Sequence, residues 1–135
     1  RDRQEHADYI AAARSAADEA GVEFVINRRT DAAKRGPGTF DAPVPEAEAR
    51  IKLMEDAGAR AVYPVGLSTA DQVSRLVQAV TIPLNVTAHP VNGHDAGDVE
   101  ALRGLGVRRV SFGPLWQKWL GETSAQQLSG WTSSN

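Results

Sequence analysis

Short apolar runs alternate with helix-like segments along the chain. Four runs have the apolar and β-branched composition of buried parallel strands. They are FVINRRTD (24–31), AVYPVG (61–66), PLNVTA (83–88) and RVSFGP (109–114). Each run follows a helix-like segment, so the order predicts an α/β class with a parallel sheet and right-handed crossovers. Four strands are half of the eight that close an α/β barrel.

Glycine and proline mark the boundaries of the predicted helices. Residues 32–45 hold three prolines and two glycines, which predicts a long irregular loop after the first strand. We expect one partial-barrel domain over 1–135, with a frayed polar tail at 129–135. The predicted helices span 4–20, 46–57 (opened by Pro45), 70–80, about 97–105, and a last segment from about Leu115.

Composition excludes several classes of function. The 135 residues carry a net charge of −2, which gives no general attraction to nucleic acid or anionic membranes. No cysteine is present, so disulfides and thiolate metal sites are excluded. No apolar run approaches the ~20 residues of a membrane span, and the charged start is unlike a signal peptide. We expect a cytoplasmic location; the start at Arg1 rather than Met suggests a processed, truncated or partly observed product.

Polar side chains at the strand ends are the candidate site. Arg29 ends the first strand, where an inward guanidinium would hold a carboxylate or phosphate by two parallel hydrogen bonds. The alternative for Arg29 is a structural ion pair with Asp31. Asn85 and Thr87 share one face of the third strand and could offer neutral hydrogen bonds to an anion, or anchor a loop.

Other polar residues give weaker signals. His89 and His94 flank a Pro/Gly-rich loop, but no third ligand accompanies them, so we expect solvent-exposed imidazoles rather than a metal site. Ser111 and Gly113 end the fourth strand like the phosphate-binding corner of many barrels, although close backbone packing explains Gly113 as well. No aspartate pair has the spacing of a Mg²⁺ cradle, and no catalytic acid or base is identified.

Together the four strands resemble the isocitrate lyase/phosphoenolpyruvate mutase superfamily. The match is closest to its carboxyvinyl-carboxyphosphonate phosphorylmutase-like and methylisocitrate lyase-like members. Its motifs are an "ARTD" strand, an "AD-x-x-FP" strand, a "P-x-x-N" strand and a "V-x-R-V-S-x-G" strand. Here they correspond to FVINRRTD, GARAVYPVGL, IPLNVTAHP and GVRRVSFGP.

The resemblance implies strands five to eight, the C-terminal half of a (β/α)8 barrel. It implies a usually oligomeric Mg²⁺-dependent lyase or mutase that acts on a small 2-oxo or phosphono acid through an enolate. Arg29 matches the arginine that holds the substrate carboxylate or phosphonate, and Asn85 and Thr87 match polar substrate contacts. The family's metal ligands and catalytic loop lie on strands two to four, so they are absent here, and Val65 stands where many members have glutamate.

Three functional hypotheses follow. In the first, the chain is part of the Mg²⁺-dependent enzyme, completed by an N-terminal half barrel or by a second copy, and it binds a small anionic substrate. In the second, it is a non-catalytic, degenerate or truncated half barrel that acts as an assembly or binding module. In the third, it is a phosphate-binding barrel of another type, with phosphate near Ser111 and Gly113. The exact substrate, the choice among lyase, mutase and hydrolase chemistry, and the oligomeric state are not determined by these residues.

Overall fold

The computed structural model describes residues 2–34 and 40–132, and within this part helices and strands alternate. None of the described helices is long and apolar enough to cross a lipid bilayer. The elements are α1 (Arg3–Glu19), β1 (Asn27–Thr30), α2 (Pro43–Asp56), β2 (Ala61–Pro64), α3 (Ala70–Gln78), β3 (Asn85–Thr87), α4 (Val99–Gly104), β4 (Arg109–Ser111) and α5 (Pro114–Thr132).

The four strands are parallel and follow one another in sequence order. β1 pairs with β2, and β3 pairs with β4. A single parallel bridge between Val62 and Leu84 joins the two ladders, and the Val62 N–H donates to the Pro83 carbonyl at 3.0 Å. Sequential parallel strands with a helix after each are the construction of a barrel rather than of a doubly wound sheet. The predicted α/β half barrel is therefore confirmed.

The sheet has an apolar outer face and a polar inner face. Outer-face residues Val62, Leu84 and Val86 are at most 1% exposed and pack with Ile51 and Leu76 of α2 and α3. Side chains alternate along a strand, so burial of this set directs its neighbours to the opposite, inner face. By the same register, the described inner face carries Asn27, Arg29, Ala61, Tyr63, Asn85, Thr87, Arg109 and Ser111.

The strands are shorter than predicted, most clearly at β1. Phe24 and Val25 precede β1 and are 50% and 58% exposed. β1 is the edge of the described sheet, so only β2 hydrogen-bonds to it, and pairing begins only after the Ile26 carbonyl accepts from Arg60 and Ala61. A strand-like composition was therefore an unreliable guide to where pairing starts, because pairing requires a partner.

Helix boundaries also differ from the prediction. α2 begins at Pro43 rather than at 46, since proline is well suited to the first turn of a helix. Within the predicted loop 32–45, residues 35–39 lie outside the described residues. Residues 129–132 of the predicted tail are the last turn of α5, and 133–135 lie outside the described part.

α5 projects its aromatic side chains largely into solvent. Phe112, Trp116 and Trp119 form a tilted stack with ring centroids 5.7 and 5.4 Å apart. Trp116 is 44% exposed and Trp131 is 86% exposed. The stack is therefore local to the start of the helix, and it leaves α5 with little burial against the sheet.

Gly66 brings the loop after β2 against the segment that follows β1. Its φ of 104° lies in the left-handed region, and an added Cβ would lie 2.8 Å from the Lys34 Cα and 2.9 Å from the Lys34 nitrogen. Both atoms belong to backbone, so neither can move aside as a flexible side chain could. This close approach holds together two of the loops that border the inner face.

We expect Gly66→Ala to lower the free energy of unfolding by ~2 kcal/mol, because left-handed strain and a backbone clash add together. Gly121→Ala in α5 is the matched control, since its added Cβ meets no atom within 4 Å. Urea unfolding followed by far-ultraviolet circular dichroism measures both variants. Equal stability of the two variants would show that the approach at Gly66 is not tight.

Candidate functional site

The carboxyl ends of the four strands place polar side chains along one edge of the inner face. In the sheet register Arg29 lies beside Tyr63, and Thr87 lies beside Ser111. In parallel α/β folds this edge is where binding and catalytic groups are found. The strand register therefore brings Arg29 and Ser111, which are 82 positions apart in the sequence, to the same edge of the sheet.

Arg29 is paired with Asp31 in a two-pronged geometry. Its Nε donates to Asp31 Oδ1 at 2.7 Å, and its Nη2 donates to Asp31 Oδ2 at 3.1 Å. Lys34 Nζ adds a contact to the same Oδ2 at 3.2 Å. The structural ion pair, which was the alternative prediction for Arg29, is therefore present. It uses the same guanidinium fork that would hold a ligand carboxylate.

The ion pair is accessible and electrostatically polarised. The side chains of Arg29 and Asp31 are 56% and 51% exposed. The hydrogen bond from Arg29, followed by that from Lys34, holds the pKa of Asp31 below its ordinary value despite partial desolvation. The same bond to Asp31 raises the pKa of Arg29. Exposed pairs of this kind contribute at most about 1 kcal/mol, so an incoming anion could exchange with Asp31.

Asn85 lies deeper than a solvent-facing ligand contact. It is 1% exposed, and its Oδ1 accepts a hydrogen bond from Ser111 Oγ at 3.1 Å. Its Nδ2 is buried with no partner among the described residues, and so is the Oδ1 of Asn27. The Asn85 amide is thus held by one end and keeps its two N–H donors unused within the described part of the chain.

Thr87 is joined to a residue that the sequence analysis did not select. The hydroxyl oxygens of Thr87 and Tyr63 form a short hydrogen bond across β2 and β3. The signal for Tyr63 was its position: in AVYP it alternates with buried Val62 and Pro64, so it faces inward.

A cavity of about 290 Å³ adjoins Thr87. It lies between the loops after β2 and β3, and its lining includes Val65, His89, His94 and Leu115. Both histidines are half-buried, so the expectation of solvent-exposed imidazoles was wrong. Both imidazoles line the cavity, although most of the loop between them is exposed.

Backbone hydrogen bonds fix the orientation of both imidazoles. His89 Nδ1 accepts from the N–H of Val91 at 3.1 Å and of Asn92 at 3.2 Å. His94 Nδ1 accepts from the Ala96 N–H at 2.9 Å, and burial lowers the pKa of His94 against the opposing effect of Asp95. Nδ1 of each ring is thus occupied by the loop itself, which leaves Nε2 to carry a proton.

The described residues do not form a metal cradle. Within residues 2–34 and 40–132, no group of three or more His, Asp or Glu side chains is arranged to hold an ion. On the fourth strand, the Ser111 hydroxyl hydrogen is directed to Asn85 and is therefore not available to a phosphate. What the edge offers is a guanidinium fork, hydroxyl groups and a buried amide, which are groups that bind oxyanions.

We expect Arg29→Ala to raise the pKa of Asp31 toward its ordinary value, and Lys34→Ala to raise it less, because the Arg29 hydrogen bond is the largest cause of the depression. The stabilisation from a depressed carboxyl pKa is present above the unfolded-state value of ~3.9 and is lost as pH falls through the folded-state pKa. Carbonyl-detected ¹³C NMR titration of the Asp31 side chain measures the shift.

Lys52→Ala is the control for this titration, since Lys52 pairs with Glu48 instead. It should leave the Asp31 titration where it is. An Asp31 pKa that stays equally depressed in Arg29→Ala would mean that the two-pronged pair does not persist in solution.

The chain was compared with known proteins. The family model described as phosphoenolpyruvate phosphomutase matches residues 1–129. None of the curated proteins compared matches the chain. Among solved structures, a "putative phosphonomutase" from Burkholderia cenocepacia J2315 is 32% identical with a TM-score of 0.81. A "putative lyase/mutase" from the same organism is 28% identical with a TM-score of 0.77.

Coverage in these comparisons is unequal. The chain is covered over 98% and 96% of its length, but it spans only 52% and 46% of those two proteins. A 2,3-dimethylmalate lyase shares the fold at 20% identity and a TM-score of 0.73, and this chain spans 45% of its length. The chain thus spans about half the length of the structures that it matches.

Proposed function

Because the chain belongs to the phosphoenolpyruvate phosphomutase family, we propose that it forms the anion-binding half of a lyase or mutase that acts on a small 2-oxo or phosphono acid. The observation that carries the proposal is the Arg29 fork at the C-terminal edge of the sheet, which holds the carboxylate of Asp31 through two hydrogen bonds. A substrate carboxylate or phosphonate presents the same pair of oxygens to the same two donors.

The neighbouring donors suit a substrate whose charge grows during the reaction. An enolate places negative charge on an oxygen next to the carboxylate, and fixed donors stabilise such charge without reorganising. In the proposal Arg29 binds the carboxylate or phosphonate, Thr87 donates to the adjacent oxygen, and Asn85 contributes through its unused N–H groups. Ser111 holds the Asn85 carbonyl oxygen, which fixes the plane of that amide.

Magnesium is part of the proposal only through residues outside this chain. The described residues provide no cluster of acidic ligands that fits the ion. We propose that an N-terminal half barrel provides the metal ligands and the acid–base group. In the proposal, the residues of this chain bind and orient the substrate.

A non-catalytic assembly module is the second candidate function. It is favoured by the exposed apolar side chains at the two ends of the described fold, before β1 and on α5. Exposed apolar surface of this kind is typical of a contact with another protein. A phosphate-binding barrel is less well supported, because the Ser111 hydroxyl is directed to Asn85.

Calorimetric titration of the chain with oxalate, in the presence and absence of Mg²⁺, tests the proposal. Oxalate is a planar dianion that resembles a pyruvate enolate. Mg²⁺-independent binding supports an anion-binding half, and binding that requires Mg²⁺ would contradict the placement of the metal ligands outside this chain. No binding under either condition favours the assembly module.

We expect Arg29→Lys to weaken oxalate binding by ~10-fold or more, because an ammonium group keeps the charge but loses the planar two-donor fork. Arg60→Lys is the matched control, since Arg60 is similarly exposed and paired with Glu23 outside the candidate site. The same calorimetric titration compares the two variants. Equal losses of oxalate affinity in the two variants would show that the effect is not specific to the Arg29 fork.

Asp31→Asn should strengthen oxalate binding by ~2–5-fold, because it removes the carboxylate that competes for the fork at a cost of at most about 1 kcal/mol. The measurement is the oxalate dissociation constant at low ionic strength. Weaker binding in Asp31→Asn would contradict competition and would show that Asp31 orients Arg29 for the ligand.

A further inference from the structure

Tyr63 connects the two sides of the candidate site. In the sheet register it lies beside Arg29 on β1, and its hydroxyl is hydrogen-bonded to the Thr87 hydroxyl on β3. The hydrogen bond to Asp31 is the main cause of the raised pKa of Arg29. Tyr63 is half-buried, so its ring is held by packing while it remains next to the open inner face.

Two hydroxyls bonded to each other have only one hydrogen left to donate elsewhere. If Tyr63 donates to Thr87, the Thr87 hydrogen is available; if Thr87 donates to Tyr63, the Tyr63 hydrogen is available. Either assignment leaves one O–H on the inner face, which also carries Arg29. The pair therefore acts as a single donor whose position is set by two strands rather than by one rotatable threonine.

We propose that Tyr63 is a further ligand-binding residue, which with Thr87 forms a one-donor pair that binds the oxygen next to the carboxylate or phosphonate held by Arg29. This inference rests on the proposed function of the edge. It deepens that function by naming the ligand class: an oxyanion with a second acceptor oxygen on the neighbouring atom. A hydrogen bond to such an oxygen strengthens as the oxygen becomes anionic.

Removal of the Tyr63 hydroxyl is the direct test. Tyr63→Phe keeps the ring, and we expect it to weaken oxalate binding to the full chain by ~3–10-fold, because it removes either the donor itself or the hydrogen bond that orients the Thr87 donor. Tyr9→Phe is the matched control, because Tyr9 is the other of the two tyrosines in the chain and lies exposed on α1. Its oxalate affinity should equal that of the unaltered chain.

A spectroscopic readout separates ligand contact from a loss of stability. With tyrosine labelled by ¹³C at Cζ, the chain gives two resonances, which the two phenylalanine variants assign. Oxalate should shift the Tyr63 resonance and leave that of Tyr9 in place. This measurement is made on the unaltered chain, so it decides the question even if Tyr63→Phe folds poorly.

A double-mutant cycle tests whether the two hydroxyls act as one donor. Thr87→Val removes the partner hydroxyl with little change in shape. If the pair is one unit, Tyr63→Phe combined with Thr87→Val weakens oxalate binding by less than the product of the two single effects. Multiplicative losses would overturn the one-donor pair.

The remaining outcomes separate this inference from the proposed function. If the unaltered chain binds oxalate, with or without Mg²⁺, while Tyr63→Phe binds it equally well and the Tyr63 resonance does not move, the role of Tyr63 is overturned and the proposed function stands. If the unaltered chain binds no oxalate under either condition, the proposed anion site is overturned, and the role of Tyr63 with it.

Discussion

The contact between Val62 and Leu84 is the constraint on which the rest of the sheet depends. It is the bridge that joins the β1–β2 ladder to the β3–β4 ladder in the described structure. Val62 is fully buried and Leu84 is 1% exposed, both within the apolar core. Because side chains alternate along a strand, the burial of these two residues directs Tyr63 and Asn85 to the inner face.

The sheet can be stable and still exchange a polar partner of Arg29, because apolar burial and the exposed ion pair contribute very different energies. Burial of one large aliphatic side chain contributes roughly 1.5–3 kcal/mol, and the outer face buries several. The exposed Arg29–Asp31 pair contributes at most about 1 kcal/mol. The fold is therefore held by the outer face, and the ion pair on the inner face is not needed to maintain it. A ligand that displaces Asp31 would leave the strands where they are.

The sequence predicted the parts of this structure that depend on local pattern. Strand order, the alternation of faces and the position of Arg29 all follow from period-two patterning and parallel βα units. Features that depend on distant contacts were missed. The exposure of Phe24 and Val25 depends on whether a strand lies beyond β1, and the half-burial of His89 depends on how its loop folds back.

The site residues also divide into features that local pattern predicts and features that distant contacts determine. Alternation correctly directed Asn85 inward, but its 1% exposure and its bond to Ser111 depend on the registry of β3 with β4, which no local pattern encodes. The inward direction of Tyr63 follows from the alternation in AVYP, but its hydrogen bond to Thr87, 24 positions away, does not.

Charge distribution accounts for the separation of roles in the proposed function. The described inner edge carries a guanidinium fork, hydroxyls and amides, and the acid nearest the fork, Asp31, is already paired with Arg29 and Lys34. Further acids placed beside Arg29 would pair with it and compete with an anionic substrate. A barrel that uses both a guanidinium fork and a cluster of acidic metal ligands therefore benefits from placing them on opposite sides of its axis. A half barrel that carries the cationic side is left with donors to bind an anion, and it depends on the other half for the acids.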